Sequence, residues 1–129
     1  MKKRIIPFAI AGAVGFGVDA CVLLLASPLL GAFGGRTVSF ACAVLTTWLI
    51  NRNFAFADRA ESSAKHWEFL RYFGAMLPGA AVNWLAYSLV VMVQPPNPVT
   101  LTLAVAAGSI SGMATNLAAA NWLVFREKR

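Results

Sequence analysis

A single acid, Asp19, interrupts an apolar stretch from Ile5 to Leu30 that carries no other charge. The stretch exceeds the ~20 apolar residues that a helix needs to cross a bilayer. A carboxylate at membrane depth costs at least ~2.5 kcal/mol, so it is rarely retained without a partner or a function. Gly12 and Gly15 share a helical face with Asp19, and small residues of this kind admit a neighbouring helix. We therefore expect the acid to point into a helix bundle and to bind a polar group there.

The composition places the chain in the membrane class. Its 129 residues are 59% hydrophobic and 12% charged, whereas soluble domains are nearer ~45–50% apolar and ~25% charged. One membrane domain over residues 1–129 is expected, without a cofactor. Cys21 and Cys42 lie in apolar segments and are expected to be small buried hydrophobes, not a disulfide. His66 stands alone in a polar stretch, so no metal site is expected.

Four apolar stretches are each long enough to form a spanning helix. The predicted spans cover residues 6–30, 35–56, 69–93 and 99–124, with a cytoplasmic loop over residues 57–68. Pro28 and Gly31 end the first span, and Gly34 and Gly35 precede the second. A proline-rich turn over residues 94–98 joins the third span to the fourth. The sequence therefore predicts an all-α integral membrane protein with four transmembrane helices.

The basic residues orient these helices. Ten of the eleven flank segment ends that would share one side of the membrane, and Arg36 alone would lie on the other side. The ten are Lys2, Lys3, Arg4, Arg52, Arg59, Lys65, Arg71, Arg126, Lys128 and Arg129. Because basic residues accumulate on the cytoplasmic side, both termini and the central loop are predicted to be cytoplasmic. Topology thus explains the formal charge of +6, and a nucleic-acid partner is not expected.

The first and third spans resemble each other. The motif Gly15…Asp19 corresponds to Gly79…Asn83 at a constant offset of 64 residues. Both polar residues would then lie at a similar depth in the membrane. An even number of spans in each half makes the repeats parallel, and repeats often place a binding site at their interface. The predicted architecture is two parallel two-helix repeats.

Polar side chains also recur at helical spacing in the second and fourth spans. Gly108, Gly112 and Asn116 form a small-residue face that carries an amide, which suits close helix approach and an interhelical hydrogen bond. Thr47 and Asn51 recur at the same spacing in the second span. The residues expected to face a shared polar interior are Asp19, Thr47, Asn83 and Asn116.

At these residues the chain resembles the GtrA-like family of small bacterial membrane proteins. The resemblance begins at residues 8–12, FAIAG, with Asp19 seven residues later, like the first helix of the family. It continues at residues 48–56, WLINRNFAF, like the family's second-helix ending of Asn-Arg, an aromatic residue and a final Phe. A second copy is visible at residues 71–73 and 116–125.

The resemblance implies a flippase. Such a protein moves a polyprenyl-phosphate-linked monosaccharide from the cytoplasmic leaflet to the outer leaflet, where a membrane glycosyltransferase uses the sugar to modify cell-surface polysaccharides. It also implies a multi-pass protein of the bacterial inner (cytoplasmic) membrane, with the sugar lipid and the glycosyltransferase as partners. The residues themselves argue against an enzyme, since the sequence offers no nucleophile–base pair, metal cluster or phosphate-cradling loop.

A flippase needs cations for the phosphate and hydrogen-bonding groups for the sugar. Arg52 and Arg71 at the cytoplasmic boundary and Arg36 at the outer face are candidate phosphate ligands, because a guanidinium binds phosphate in bidentate fashion. Asn121, after Ala120, stands where the family commonly has the arginine of an Asn-Arg pair, which favours Arg52. The candidate substrate-binding residues are Asp19, Arg36, Thr47, Trp48, Asn51, Arg52, Arg71, Asn83, Trp84, Asn116 and Asn121.

Each of these residues also has a structural interpretation. Asp19 and the amides can bind sugar hydroxyls, and Trp48 or Trp84 can stack on the ring. Alternatively, the amides bridge helices, the tryptophans pack or anchor at the interface, and the arginines extend to lipid headgroups. Asp19 itself could be a structural partner for Arg36 or Asn83.

Two other functions remain open. A proton-coupled exporter of the small multidrug resistance type has a similar size, four helices and one essential acid. That class uses a Glu in a different motif, and its antiparallel dimers need balanced flanking charge instead of the strong bias seen here. A non-transporting scaffold that recruits a glycosyltransferase is the second alternative. In any of these cases the Gly108 and Gly112 face could serve a homodimer.

Overall fold

The computed structural model describes residues 2–55 and 65–126, with side chains for residues 6–54, 65–116 and 118. Within these ranges the chain is helical apart from a short turn at residues 94–97, and no strand is present. Helix α1 covers Lys2–Ile50, a π-helical turn covers Asn51–Ala55, α2 covers Lys65–Val93 and α3 covers Pro98–Arg126. The prediction of an all-α protein is confirmed for the described chain.

All three helices are long and apolar enough to cross a membrane. The qualifying segments of the described chain are Ile6–Phe54, Lys65–Val93 and Pro98–Asn116. If straight, the 49-residue α1 would be about 74 Å long, more than twice the ~30 Å hydrocarbon core of a bilayer. A helix of that length must bend or reverse to stay in the membrane.

Helix α1 breaks at Gly31. This glycine has non-helical backbone angles, φ 76° and ψ 176°, in a region of backbone space that is open almost only to glycine. The break separates a first limb, residues 2–30, from a second limb, residues 32–50. Pro28 lies within the last turn of the first limb and removes one backbone donor just before the break.

The two limbs lie side by side and run in opposite directions. A Cβ added to Gly15 would overlap Thr47 Cγ2. Near the break, a Cβ added to Gly35 would lie 3.0 Å from the Cα of Ser27. Each pair is equidistant from Gly31 in the sequence, by sixteen residues and by four, so the limbs are in register about this glycine. We call the two limbs together the N-terminal hairpin.

The reversal is tighter than the sequence predicts. The predicted second span begins at residue 35, but helix resumes directly after Gly31. Gly34 and Gly35 are therefore helical residues, and Gly35 allows close approach of the two backbones instead of preceding a helix. Helix α2 begins at Lys65, four residues before the predicted third span. Most of the predicted loop, residues 57–68, lies outside the described residues.

The chain divides into two compact units, Met1–Phe73 and Gly74–Arg129, which we call the N-terminal unit and the C-terminal unit. The C-terminal unit contains most of α2 and all of α3. Asn97 caps α3, because its Oδ1 accepts a hydrogen bond from the Thr100 backbone N–H at 2.9 Å, and Pro98 takes the first helical position. A single domain over residues 1–129 stays a prediction.

Small residues bring α2 and α3 together in the C-terminal unit. A Cβ added to Gly108 would lie 2.7 Å from the backbone oxygen of Asn83. A Cβ added to Gly112 would lie 2.6 Å from the backbone oxygen of Gly79. Backbone atoms cannot move aside as a flexible side chain can, so both positions require glycine. A homodimer through Gly108 and Gly112 would have to displace α2 from this face.

Large apolar side chains cover much of the outside of the described chain. Leu29 and Met92, for example, are 87% and 76% exposed. Several buried residues are by contrast polar, among them Asp19, Arg36 and Asn51. An extensive exposed apolar surface is a liability in water but matches lipid acyl chains. The distribution agrees with the membrane class that the composition predicts.

We expect Gly31→Ala to destabilise the protein and Gly17→Ala to leave it as stable as the wild type or slightly more stable. Neither glycine has an atom within 4 Å of an added Cβ, so the two variants differ chiefly in backbone conformation. The positive φ of Gly31 should cost an alanine about 1–3 kcal/mol, whereas alanine in a helix gains about 0.5–1 kcal/mol over glycine. Thermal unfolding in detergent micelles measures both. Equal stability of the two variants would rule out the reversal at Gly31.

Candidate functional site

The N-terminal hairpin buries an ion pair. Arg36 Nη1 donates a hydrogen bond to Asp19 Oδ1 and so joins the second limb to the first. The Arg36 side chain is completely buried and that of Asp19 is 4% exposed. A lone charge at low dielectric costs far more than a neutral pair, so each group allows the other to be buried.

Neighbouring residues of the second limb surround Arg36. The guanidinium carbon lies 5.4 Å from the centroid of the Phe40 ring, within the range of cation–π attraction. Ser39, which is also completely buried, donates from Oγ to the backbone oxygen of Arg36 at 3.1 Å. The cation is therefore packed inside the protein.

A hydrogen-bonded cluster lies further along the second limb. The Tyr72 hydroxyl donates to Thr47 Oγ1 and accepts from Asn51 Nδ2, each at 3.4 Å. Thr47 Oγ1 in turn donates to the backbone oxygen of Ala43 at 3.0 Å. Tyr72 thus ties the start of α2 to the end of the hairpin within the N-terminal unit.

Two buried polar atoms beside this cluster have no hydrogen-bond partner among the described residues. They are the donor Nε1 of Trp48 and the acceptor Oδ1 of Asn51. Asn51 is only 3% exposed, and a buried polar atom without a partner costs about 1–3 kcal/mol. Asn51 also begins the π-helical turn, a feature that is frequent at functional sites. A donor and an acceptor three residues apart suit a ligand hydroxyl, which accepts and donates at once.

Arg52 forms a second, more accessible ion pair. Its Nε lies 3.0 Å from Glu68 Oε2, and the two side chains are 19% and 28% exposed. Trp48 packs edge-on against Phe69 nearby, with ring centroids 5.2 Å apart. Since solvent screens such a pair, Arg52 can exchange Glu68 for another anion more easily than Arg36 can exchange Asp19.

The C-terminal unit carries two amides where its helices meet. Asn116 Oδ1 accepts a hydrogen bond from the Gly79 backbone N–H at 3.0 Å. Asn83 lies against Gly108, whose added Cβ would be 2.8 Å from Asn83 Oδ1. Both amides therefore lie where α2 meets α3, and Asn116 has the helix-bridging role that its sequence pattern left open.

The predicted site residues fall into two sets. Those of the N-terminal unit are Asp19, Arg36, Thr47, Trp48, Asn51, Arg52 and Arg71, and those of the C-terminal unit are Asn83, Trp84, Asn116 and Asn121. Arg71 is exposed, and Trp84 is half-buried with its ring centroid 6.5 Å from that of Tyr87. Asn121 lies outside the side chains that the structure describes. The convergence of the two sets on one polar interior stays a prediction.

The guanidinium of Arg36 does not lie where the sequence places it. Predicted to receive phosphate at the outer face, it is completely buried and paired with Asp19. The reason is electrostatic, because an unpaired carboxylate inside the hairpin would be costlier than an arginine turned inward. The contact between Asp19 and Arg36 is present, and whether Asp19 serves the fold or the substrate stays a prediction.

Two residues of the site escape the sequence analysis, Glu68 and Tyr72. Glu68 is the one acid in α2, and its position across the central loop from Arg52 is a signal that could have paired them. Tyr72 follows Glu68 by four residues and so shares its helical face. A helix that begins at Lys65 instead of residue 69 places Glu68 in the first turn of α2, one turn before Tyr72 and next to the end of the hairpin.

A family model described as GtrA/DPMS, transmembrane domain, matches residues 7–125. The chain belongs to this family. The match runs from the first limb of the hairpin to the end of α3 and confirms the resemblance drawn from the sequence motifs. Comparison of this GtrA/DPMS protein with curated proteins and with solved structures gives no match. Membership makes it a multi-pass membrane protein of glycosyl-lipid metabolism or flipping, in a family that is generally non-catalytic.

We expect Asp19→Asn and Arg36→Gln each to destabilise this GtrA/DPMS protein by about 3 kcal/mol, because each leaves a buried charge without its counter-ion. The double variant should be more stable than either single variant, since it restores a neutral interior. Denaturant unfolding in mild detergent for all four proteins gives the coupling between the two positions. Strictly additive losses would show that the two side chains do not form the pair described here.

Proposed function

We propose that this GtrA/DPMS protein is a flippase that carries a polyprenyl-phosphate-linked monosaccharide from the cytoplasmic to the outer leaflet for modification of cell-surface polysaccharides. The observation that carries the proposal is the line of polar side chains along the N-terminal hairpin, beneath an apolar outer surface. The line comprises Arg36, Asp19, Thr47, Asn51 and Arg52. The family's link to glycosyl-lipid processing points in the same direction.

The length of this polar line supports the proposal. At 1.5 Å per residue from Gly31, the backbone of Arg36 lies about 7 Å along its limb and Asp19 about 18 Å. Thr47 and Asn51 follow at about 24 Å and 30 Å on the same scale. The backbones of these residues therefore span about 23 Å along the hairpin, which is most of the ~30 Å thickness of the hydrocarbon core. A sugar and a phosphodiester need such a series of partners, whereas the prenyl tail can stay in lipid.

The end of the hairpin near the π-helical turn fits the entry of the substrate. The half-buried Arg52 can bind phosphate once its ion pair with Glu68 breaks. A guanidinium presents two parallel donors to two phosphate oxygens. The buried Trp48 Nε1–H and Asn51 Oδ1, which have no hydrogen-bond partner among the described residues, can satisfy a sugar hydroxyl. Arg71, exposed on α2, adds positive charge for an anionic lipid headgroup.

The topology that accompanies this function follows from the two limbs of α1. If each limb crosses the membrane once, then α1, α2 and α3 give four crossings, with both termini and the central loop in the cytoplasm of a bacterial inner membrane. The Gly31 turn and the turn at residues 94–97 would then face outward. In this proposal Asn83, Trp84, Asn116 and Asn121 complete the path from the second repeat, and a membrane glycosyltransferase receives the product.

The pairing of Asp19 weakens the exporter alternative. A proton-coupled exporter of cationic drugs needs a carboxylate that is available to the drug, whereas Asp19 is neutralised by the buried Arg36. An arginine at that depth favours an anionic cargo. The scaffold alternative shares the lipid-binding site with the flippase, and only a transport measurement separates the two.

We expect the purified protein in proteoliposomes to flip a polyprenyl-phosphate monosaccharide. Transport is measured by oxidation of the exposed sugar with membrane-impermeant periodate. Trp48→Phe should lower the rate by about five- to tenfold, because it removes one hydrogen-bond donor worth about 1 kcal/mol and keeps an aromatic ring. Trp67→Phe, which changes an exposed tryptophan of α2 in the same way, should leave the rate unchanged.

The outcomes separate the three functions. Lipid binding without transport above that of empty liposomes would identify a scaffold. The absence of both lipid binding and transport would favour the exporter. Transport that Trp48→Phe and Trp67→Phe affect equally would remove the hydrogen-bonding role proposed for Trp48.

A further inference from the structure

The register of the N-terminal hairpin shows that Arg36 extends away from the nearby turn. Arg36 is five residues from Gly31 and Asp19 is twelve residues from it. Their Cα atoms are therefore offset by about 10 Å along the hairpin, and the two side chains must bridge this offset to form their hydrogen bond. Helical side chains lean towards the N-terminus of their helix, which for the second limb is the turn. The Arg36 side chain thus extends in the direction opposite to the usual lean of a helical side chain.

General membrane energetics favour a second position for the same guanidinium, at the turn. Basic side chains near a helix end ordinarily direct their charge to the membrane surface, and Arg36 begins about 7 Å from Gly31. Asp19 holds the guanidinium in the inward position through the buried ion pair. Because the pair is neutral and buried, Arg36 can separate from Asp19 at a low free-energy cost only if another anion takes the place of the carboxylate.

We infer that Asp19 occupies the phosphate-binding position of Arg36, as an internal competitor of the substrate. The inference rests on the proposed function and deepens it: the ligand is the phosphodiester of the sugar lipid, which replaces the carboxylate as the counter-ion of Arg36. A phosphodiester offers two equivalent oxygens to the guanidinium fork and so competes well with a carboxylate.

The competitor also explains how an anion can leave such a site. A buried arginine without a competing acid would hold a phosphodiester tightly and release it slowly. Asp19, left without its counter-ion while substrate is bound, favours the return of Arg36 and therefore the release of the lipid. The relation between Asp19 and the substrate is thus antagonistic, in contrast to a direct contact of Asp19 with the sugar.

The test measures binding of citronellyl phosphoglucose, a short-tailed phosphodiester, to the full chain in phosphatidylcholine nanodiscs. We expect Asp19→Asn to bind the probe roughly tenfold more tightly than the wild type, and Arg36→Gln to bind it roughly tenfold more weakly. In the Arg36→Gln background, Asp19→Asn should have no effect, because the competition acts through the arginine. Thermal unfolding confirms that each variant is folded.

Weaker or unchanged binding by folded Asp19→Asn would overturn the inference, since that is the result expected if Asp19 contacts the sugar or only supports the fold. Tighter binding that persists in the Arg36→Gln background would overturn it as well. If Asp19→Asn does not fold, Arg36→Lys serves instead: it keeps the charge pair but loses the fork, and unchanged affinity for the probe would contradict the inference.

Additional measurements identify the source of the bound anion. They also distinguish failure of the flippase proposal from failure of the competitor inference. Competition by inorganic phosphate or by phosphatidylglycerol in the nanodisc supports the anion site and assigns it to free phosphate or to bulk lipid. Tighter binding by Asp19→Asn without any transport by the wild type supports the site and refutes the flippase. Transport by the wild type together with weaker binding by Asp19→Asn supports the flippase and refutes the competitor.

Discussion

Charge neutrality inside an apolar protein is the constraint on which the N-terminal unit depends. Asp19 and Arg36 are seventeen residues apart, and in a straight helix they would be separated by about 25 Å. The reversal at Gly31 brings them together, so one glycine conformation makes it possible to bury both charges. The same reversal aligns Gly15 with Thr47 and lets the second limb return beside the first. Backbone geometry and electrostatics thus require each other in this hairpin.

Much of this structure can be predicted from the sequence because a membrane restricts the secondary structures that a spanning chain can adopt. Long apolar runs predict helices, and Pro28 and Gly31 mark the reversal almost to the residue. The direction of a long side chain is harder to predict from the sequence. Arg36 lies near a turn, where arginines usually reach the surface, and its inward position depends on a carboxylate seventeen residues earlier. Likewise, Glu68 was hidden because the start of α2 lies in a polar stretch, where apolar periodicity carries no signal.

The two units use corresponding positions for different chemistry. Gly15 and Gly79, which the 64-residue offset relates, each contact the returning helix of their own unit. The polar residues one turn later differ, since Asp19 carries a charge matched by Arg36 whereas Asn83 is a neutral amide. Under the proposed function this asymmetry assigns the phosphate to the first unit and leaves the second to contribute hydrogen bonds alone.

The contact between Gly15 and Thr47 has a consequence for how related chains can vary. A methyl group at position 15 would overlap Thr47 Cγ2 but would lie 3.8 Å from Thr47 Cβ, an ordinary van der Waals separation. Serine at position 47 removes only the obstructing methyl and keeps the hydroxyl that accepts from Tyr72. Alanine at position 15 and serine at position 47 should therefore arise together in homologues. The side chain that fits at one position thus depends on the other, although the two are thirty-two residues apart in the chain.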